Sequence, residues 1–108
     1  MSTTLDVLAE PTRRRILDVL LEGPSPVGEL TARLGLSQPG TSKHLRVLRE
    51  RSLVRARVVG KQRVYEVRPG PLRALDAWLE PYRRMWSASL DRLEHELDAI
   101  ASSEEDER

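Results

Sequence analysis

The segment 36-LSQPGTSKHLRVLRE-50 decides the fold of this chain. Ser37 is a residue type that caps helix N-termini, and Pro39 is tolerated in a first helical turn. The positions expected to face the core repeat at helical spacing: Thr41, Leu45 and Leu48. We therefore predict a helix that begins directly after Ser37.

A second short helix precedes it. The apolar positions of residues 27–34 also repeat at helical spacing, and Gly35 suits the position just past a helix end. We expect Ser25 to cap this helix, with Pro26 at its first position. Two short helices joined by a brief segment containing Gly form the helix-turn-helix pattern.

The N-terminal part predicts two further helices. Leu5 and Leu8 indicate a short first helix. Pro11 suits the first turn of a second one, because its missing N–H costs nothing there. Gly23-Pro24 is expected to end that second helix.

After Ser52 the pattern changes from helical to extended. Residues 53–59 are rich in β-branched side chains, residues 60–62 form a turn candidate, and residues 63–67 form a second strand. The predicted fold class is therefore mainly α with a two-stranded β-hairpin wing, a winged helix-turn-helix.

The C-terminal part is a predicted helix with a coiled-coil-like seam. The seam positions recur every seven residues in two interleaved series: Leu79, Trp86, Leu93 and Ile100, with Leu90 and Leu97. Pro81 is expected either to kink the helix or to divide a helix over 71–79 from one over 81–101. The seam predicts a dimer, and the alternative is that it covers the chain's own core. Residues 1–101 are then one domain, and residues 102–108 a disordered acidic tail.

Composition narrows the class of protein. The chain has 108 residues, no Cys and no apolar run long enough to span a bilayer. Its first ten residues lack the basic start of a signal peptide, so a cytoplasmic location is expected. Residues 37–68 hold 9 Lys/Arg against 2 Asp/Glu, whereas residues 71–108 hold 5 against 10. The basic block is a candidate surface for phosphates, and the alternative is a solvated basic face.

The helix after Ser37 presents side chains that suit duplex DNA. Gln38 can pair with adenine in the major groove, while Lys43 and Arg46 can reach guanine or phosphate. Ser37 and Ser42 can donate to phosphates. The alternative is an ordinary surface helix with a polar face.

Two other basic motifs are candidates for phosphate contact. The hairpin bears Arg55, Arg57, Lys61 and Arg63, which would add affinity but little sequence information. The alternative is an edge hairpin protected from aggregation by its charge. In the run 13-RRR-15, Arg13 or Arg14 could contact phosphate, or the run could pair with Asp18 or Glu22.

The sequence shows no motif suited to catalysis or to a cofactor. His44 and His95 are the only histidines. Asp91 and His95 could both bind one metal ion, but a solvated helix face is the stronger interpretation of this segment. We expect neither enzyme activity nor a metal site.

Four segments resemble the ArsR-type winged-helix repressors: 8-LAEPTRRRIL-17, 27-VGELTARLGLSQPGTSKHLRVLRE-50, 53-LVRARVVGKQRVYEV-67 and 75-LDAWLEPYRRMW-86. The resemblance implies a homodimer that packs through its first helix, with Leu5 and Leu8, and its last helix. It also implies DNA recognition by Ser37, Gln38, Thr41, Ser42, Lys43 and His44, and wing contacts from residues 55–63. The chain lacks the Cys pair and the His sets of the metal-sensing members, so it is more similar to the metal-independent branch.

These observations predict a bacterial, nucleoid-associated transcriptional regulator, and an autorepressor by default. Two recognition helices, roughly 34 Å apart, would enter successive major grooves of a partly palindromic operator. The alternatives are a ligand- or metal-gated sensor of the same fold and a winged-helix module that contacts protein. The expected DNA contacts are Ser37, Gln38, Thr41, Ser42, Lys43, His44, Arg46, Arg57, Lys61, Arg63 and Arg14.

Overall fold

The computed structural model describes the backbone of residues 2–106 and the side chains of residues 4–103. The elements within that part are, in chain order, α1 (Ser2–Leu8), α2 (Pro11–Leu21), β1 (Ser25–Pro26), α3 (Val27–Leu34), α4 (Gln38–Glu50), β2 (Val54–Val59), β3 (Gln62–Val67) and α5 (Gly70–Asp106). The winged helix-turn-helix prediction is confirmed, with α3 and α4 as its helix pair and β2–β3 as its wing.

The ends of α3 and α4 follow from local sequence. The Ser37 hydroxyl accepts a hydrogen bond from the Gly40 N–H at 3.1 Å, which satisfies one free donor of the first turn of α4. Gly35 ends α3 with a left-handed backbone, φ 66°. The Leu36 N–H then reaches back to the Thr31 carbonyl at 3.2 Å. The short connection between the helices is therefore fixed at both of its ends.

The sheet has three strands, in the order β1-β3-β2 and antiparallel throughout. The prediction that Ser25 caps α3 is wrong, because Ser25–Pro26 forms the short strand β1 and pairs with Tyr65 and Val64 of β3. The hairpin turn is Gly60-Lys61, and Gly60 has φ 62°. That conformation at the first turn position is the one a tight hairpin assigns to Gly.

The residues up to Leu75 form one compact unit with a continuous apolar core. Its buried members come from α1, α2, α3, α4, the sheet and the residue just before β2: Val7, Ile16, Leu20, Leu30, Leu34, Leu45, Leu48, Leu53, Val54 and Tyr65. Each fully buried aliphatic side chain contributes about 1.5–3 kcal/mol. Val7, rather than Leu5 or Leu8, is the buried residue of α1. Leu8 is half-buried against this core, and Leu5 is exposed.

The second unit begins at Asp76 and lies within α5. Pro81 does not divide the helix, which corrects the alternative of two separate helices. Side chains bridge the proline: Arg83 pairs with Asp76 and Glu80, and the Trp78 and Tyr82 rings lie 5.0 Å apart. These contacts compensate in part for the backbone hydrogen bond that Pro81 cannot make.

The described part of α5 continues to Asp106. Residues 107 and 108 of the predicted acidic tail lie outside the described residues. The tail's disorder stays a prediction. None of the described helices has the length and apolar character to cross a bilayer.

Candidate nucleic-acid interface

Helix α4 buries one face in the core and exposes the other. The buried stripe is the one predicted from spacing: Thr41, Leu45 and Leu48. The exposed side chains include the predicted contacts Gln38, Ser42, Lys43 and Arg46. A helix whose inner face is packed in this way holds its outer side chains on a rigid support.

Thr41 lies on the buried face of α4. This position corrects the expectation that Thr41 contacts DNA. Its side chain is fully buried, and its hydroxyl donates to the Ser37 carbonyl at 2.9 Å. No atom of that side chain is available to a duplex in this conformation. Thr41 therefore stabilises the first turn of the helix.

Gly40 lies directly against the capping hydroxyl of Ser37. A Cβ at position 40 would come within 3.0 Å of the Ser37 Oγ, which is a tight contact. Gly in a helix interior costs roughly 1 kcal/mol relative to Ala. A side chain at position 40 would therefore require the Ser37 hydroxyl to shift by a few tenths of an ångström.

The three arginines of α2 all donate inside the chain, and none pairs with Asp18 or Glu22 among the described residues. Arg14 Nη1 donates to the Leu8 carbonyl at 2.7 Å and Arg15 Nη2 to the Leu34 carbonyl at 3.2 Å. These carbonyls end α1 and α3, where a cation is favoured by the helix dipole. Glu22 pairs instead with Arg33, at 2.7 Å. A phosphate contact by Arg14 stays a prediction.

A hydrogen bond between Arg13 and His44 joins α2 to α4. Arg13 Nε donates to His44 Nδ1 at 3.3 Å, and His44 is half-buried. Nearby, Glu10 caps α2 by accepting from the Thr12 N–H at 3.0 Å. That hydrogen bond lowers the pKa of the Glu10 carboxyl, and the positive charge of Arg13 makes a smaller contribution in the same direction.

The arginines on one face of the wing lie beside Glu66, whereas Arg63 lies on the opposite face. Arg55 lies opposite Glu66 in the β2–β3 register and forms an ion pair with it. Arg57, on the same face, lies 4.0 Å from the same carboxylate. Arg63 pairs with Val58 in the register and so points to the opposite face.

A groove of about 350 Å³ lies between α4 and β3. Its lining holds four cationic side chains: Lys43, Arg46, Arg49 and Arg63. Ser42, Pro39 and Tyr65 complete it. The ion pairs found among the described residues use other arginines, so these four charges are free for an outside anion.

Arg49 is the one cationic side chain of the groove that the sequence-based prediction did not name. Its spacing would have revealed it, because Ser42, Arg46 and Arg49 stand at i, i+4 and i+7 and share a helix face. Lys61 is placed elsewhere, at the tip of the hairpin. It lines a second groove, beside the start of α3, together with Gln62 and Arg63.

In its own unit, α5 exposes a long apolar stripe. Trp86 is 50% exposed, and the other predicted seam residues that the stripe contains are also exposed: Leu90, Leu93, Leu97 and Ile100. Leu79 is half-buried. Side chains of this kind are normally covered in a folded protein, so the stripe is a candidate interaction surface.

No group of three His, Asp or Glu side chains suited to a metal ion occurs within the described part of the chain.

Comparison with known proteins gives a consistent result. The family model described as "Bacterial regulatory protein, arsR family" matches residues 10–56. The HTH-type transcriptional regulator Rv2034 of Mycobacterium tuberculosis is 43% identical over 83 residues, which cover 77% of this chain and 75% of that protein. Other curated regulators match over about half of their own lengths.

Solved structures share the fold. The crystal structure of an ArsR family transcriptional regulator, RHA00566, matches with a TM-score of 0.69 and 30% identity, over 80% of this chain and 89% of that one. The solution structure of the homodimeric winged helix-turn-helix DNA-binding domain Mb0332 from Mycobacterium bovis matches with a TM-score of 0.63 and 25% identity, over 77% of each chain.

Proposed function

Since this chain belongs to the arsR family of bacterial regulatory proteins, we propose that it is a sequence-specific, DNA-binding transcriptional repressor. It acts as a homodimer on a partly palindromic operator, and α4 of each protomer enters a major groove. Repression follows from occupancy of the promoter.

The groove between α4 and β3 is the observation that supports this proposal most strongly. It holds four cations from two elements, α4 and β3, that are separated along the chain by β2. A phosphodiester backbone is the ligand chemistry that matches a cluster of one lysine and three arginines beside a recognition helix. The groove would therefore hold the backbone, with Ser42 of its lining donating to phosphate, while Gln38, exposed on the same helix, meets base edges.

The stripe of α5 supports the homodimer. Its apolar positions repeat every seven residues over several turns, as in helices that pair with a second helix. A second copy of the same stripe is a self-complementary partner, which is the requirement of a two-fold interface. Two copies of α4 would then bind two half-sites, which multiplies affinity and explains a palindromic operator.

The experiment is selection of bound duplexes from a random pool, followed by footprinting of the selected sequence and titration at several salt concentrations. We expect a half-site repeated with two-fold symmetry, and affinity that falls steeply with salt. A chain that binds no duplex at low salt would contradict the proposal. In that case a pull-down of proteins would test the interaction-module alternative, and thermal unfolding with and without Zn²⁺ would test a metal-gated sensor.

A further inference from the structure

The arginine run of α2 has one member whose partner is a side chain of the recognition helix. Arg14 and Arg15 donate to backbone carbonyls at the ends of α1 and α3. Arg13 alone donates to α4, at the ring of His44. The hydrogen bond joins residues that are 31 positions apart, so it is a tertiary contact rather than a local one.

The direction of that hydrogen bond fixes the chemistry of the ring. A guanidinium has donors and no acceptor, so His44 Nδ1 must be the acceptor and must carry no proton. A neutral imidazole carries one N–H, and it therefore lies at Nε2.

We propose that Arg13 is a positioning residue that holds His44 with its N–H at Nε2, so that α4 presents a hydrogen-bond donor to DNA at this position. This inference rests on the proposed function. His44 follows Lys43 at the edge of the exposed face, and the residue as a whole is half-buried. Phosphate oxygens and guanine O6 and N7 are acceptors, which the other tautomer would meet with a lone pair.

The hydrogen bond from Arg13 to His44 also lowers the entropic cost of binding DNA. A ring whose orientation is already set by Arg13 loses less conformational freedom when it contacts DNA than a freely rotating one. Arg13 therefore affects DNA affinity without touching the duplex, and its effect depends on the presence of the His44 ring.

The first test is nitrogen NMR of the free protein at mildly alkaline pH, where histidine rings are neutral. We expect His44 to be protonated at Nε2, with a coupling across the hydrogen bond between Arg13 Nε and His44 Nδ1. Arg13→Met should abolish that coupling and raise the population of the Nδ1–H tautomer. Arg15→Met is the matched control, because it removes a neighbouring arginine whose bond goes to a carbonyl, and the His44 signals should not change.

The second test is a double-mutant cycle on the selected operator. Arg13→Met and His44→Leu should each weaken binding about two- to tenfold, the range expected for one hydrogen bond. In the His44→Leu background, Arg13→Met should have no further effect, because its route to DNA is gone. His44→Gln, which keeps an N–H donor on the side chain, should retain more affinity than His44→Leu. Urea unfolding of each variant separates these effects from loss of folding.

The outcomes distinguish this inference from the proposed function. If no duplex is bound by the unsubstituted protein, the proposed function fails, while the NMR result still reports on the tautomer. If DNA is bound but the effects of Arg13→Met and His44→Leu simply add, Arg13 does not act through His44. A wild-type ring protonated at Nδ1 would also overturn the inference.

Discussion

Gly35 and Ser52 hold the same left-handed backbone conformation, with φ 66° and 60°, at the ends of α3 and α4. The N–H of the residue that follows each of them donates back into the helix, from Leu36 to the Thr31 carbonyl and from Leu53 to the Leu48 carbonyl. This is the Schellman arrangement, in which Gly is the usual residue. Ser52 is the only described non-glycine residue with positive φ, so it carries a strain that Gly35 does not.

We therefore expect Ser52→Gly to stabilise the protein. Gly relieves the left-handed strain, but it also has more conformational freedom in the unfolded state, which offsets part of the gain. The net effect should be a rise in the free energy of unfolding of about 0.5–1 kcal/mol. Gly35→Ser is the matched reverse change and should lower it by about 1 kcal/mol. Urea unfolding of both variants checks this. A Ser52→Gly protein no more stable than the parent would mean that position 52 is relaxed.

Arg49→Gln should weaken binding to all duplexes and make it less salt-dependent. If Arg49 contacts a phosphate from the groove, the slope of log affinity against log salt should fall by about one unit. The control is Arg33→Gln, which removes an arginine of α3 that forms an ion pair with Glu22. Titrations at several salt concentrations should show an unchanged slope for the control. Equal slopes for both variants would place Arg49 outside the interface.

Gln38→Ala and Lys61→Ala should separate base recognition from backbone contact. Gln38→Ala should relax preference at one base pair, by about 1–3 kcal/mol, because Gln can pair with adenine. Lys61→Ala should lower the affinity for all duplexes alike, because phosphates carry no sequence information. Binding to a panel of single-base operator variants measures both. If Gln38→Ala leaves preference and affinity unchanged, α4 is not the recognition helix.

Leu93→Asp should dissociate the dimer and reduce operator binding together. Leu93 is exposed in the middle of the α5 stripe, where a carboxylate would have to be buried against the partner. His95→Asp is the control, since position 95 lies outside the heptad series. Sedimentation velocity should show single chains for Leu93→Asp and dimers for His95→Asp. Dimers in both variants would exclude the stripe as the interface.

Glu10→Gln should flatten the acid side of the stability profile. The pKa of Glu10 is lower in the folded chain because its carboxylate accepts the Thr12 N–H. A carboxyl with a lowered folded pKa contributes stability above its unfolded pKa, about 4.3, and that stability is lost as the pH falls through the folded value. Thermal unfolding between about pH 6 and pH 3 should therefore decline less steeply in Glu10→Gln. Superimposable profiles would show that the cap's charge has no effect.

The sequence by itself determined the helix-turn-helix and its exposed recognition face. Ser37, Gly35 and the spacing of Leu45 and Leu48 act within one or two helical turns, so their effects can be predicted without knowing the rest of the fold. The hairpin followed for the same reason, from β-branched segments on either side of Gly60. Gln38, Ser42, Lys43 and Arg46 are exposed as predicted, because the buried stripe leaves them no other direction.

Only the tertiary structure decided which distant residues meet. Ser25 became a strand residue because Tyr65 of β3 lies beside it, and a local capping preference cannot reveal that neighbour. Arg49 of α4 and Arg63 of β3 line the same groove, and Arg13 of α2 contacts His44 of α4. The members of each pair are separated along the chain, so their proximity could not be predicted from sequence spacing. Hydrogen bonds act over a few ångströms in space, so their partners are fixed by packing rather than by sequence spacing.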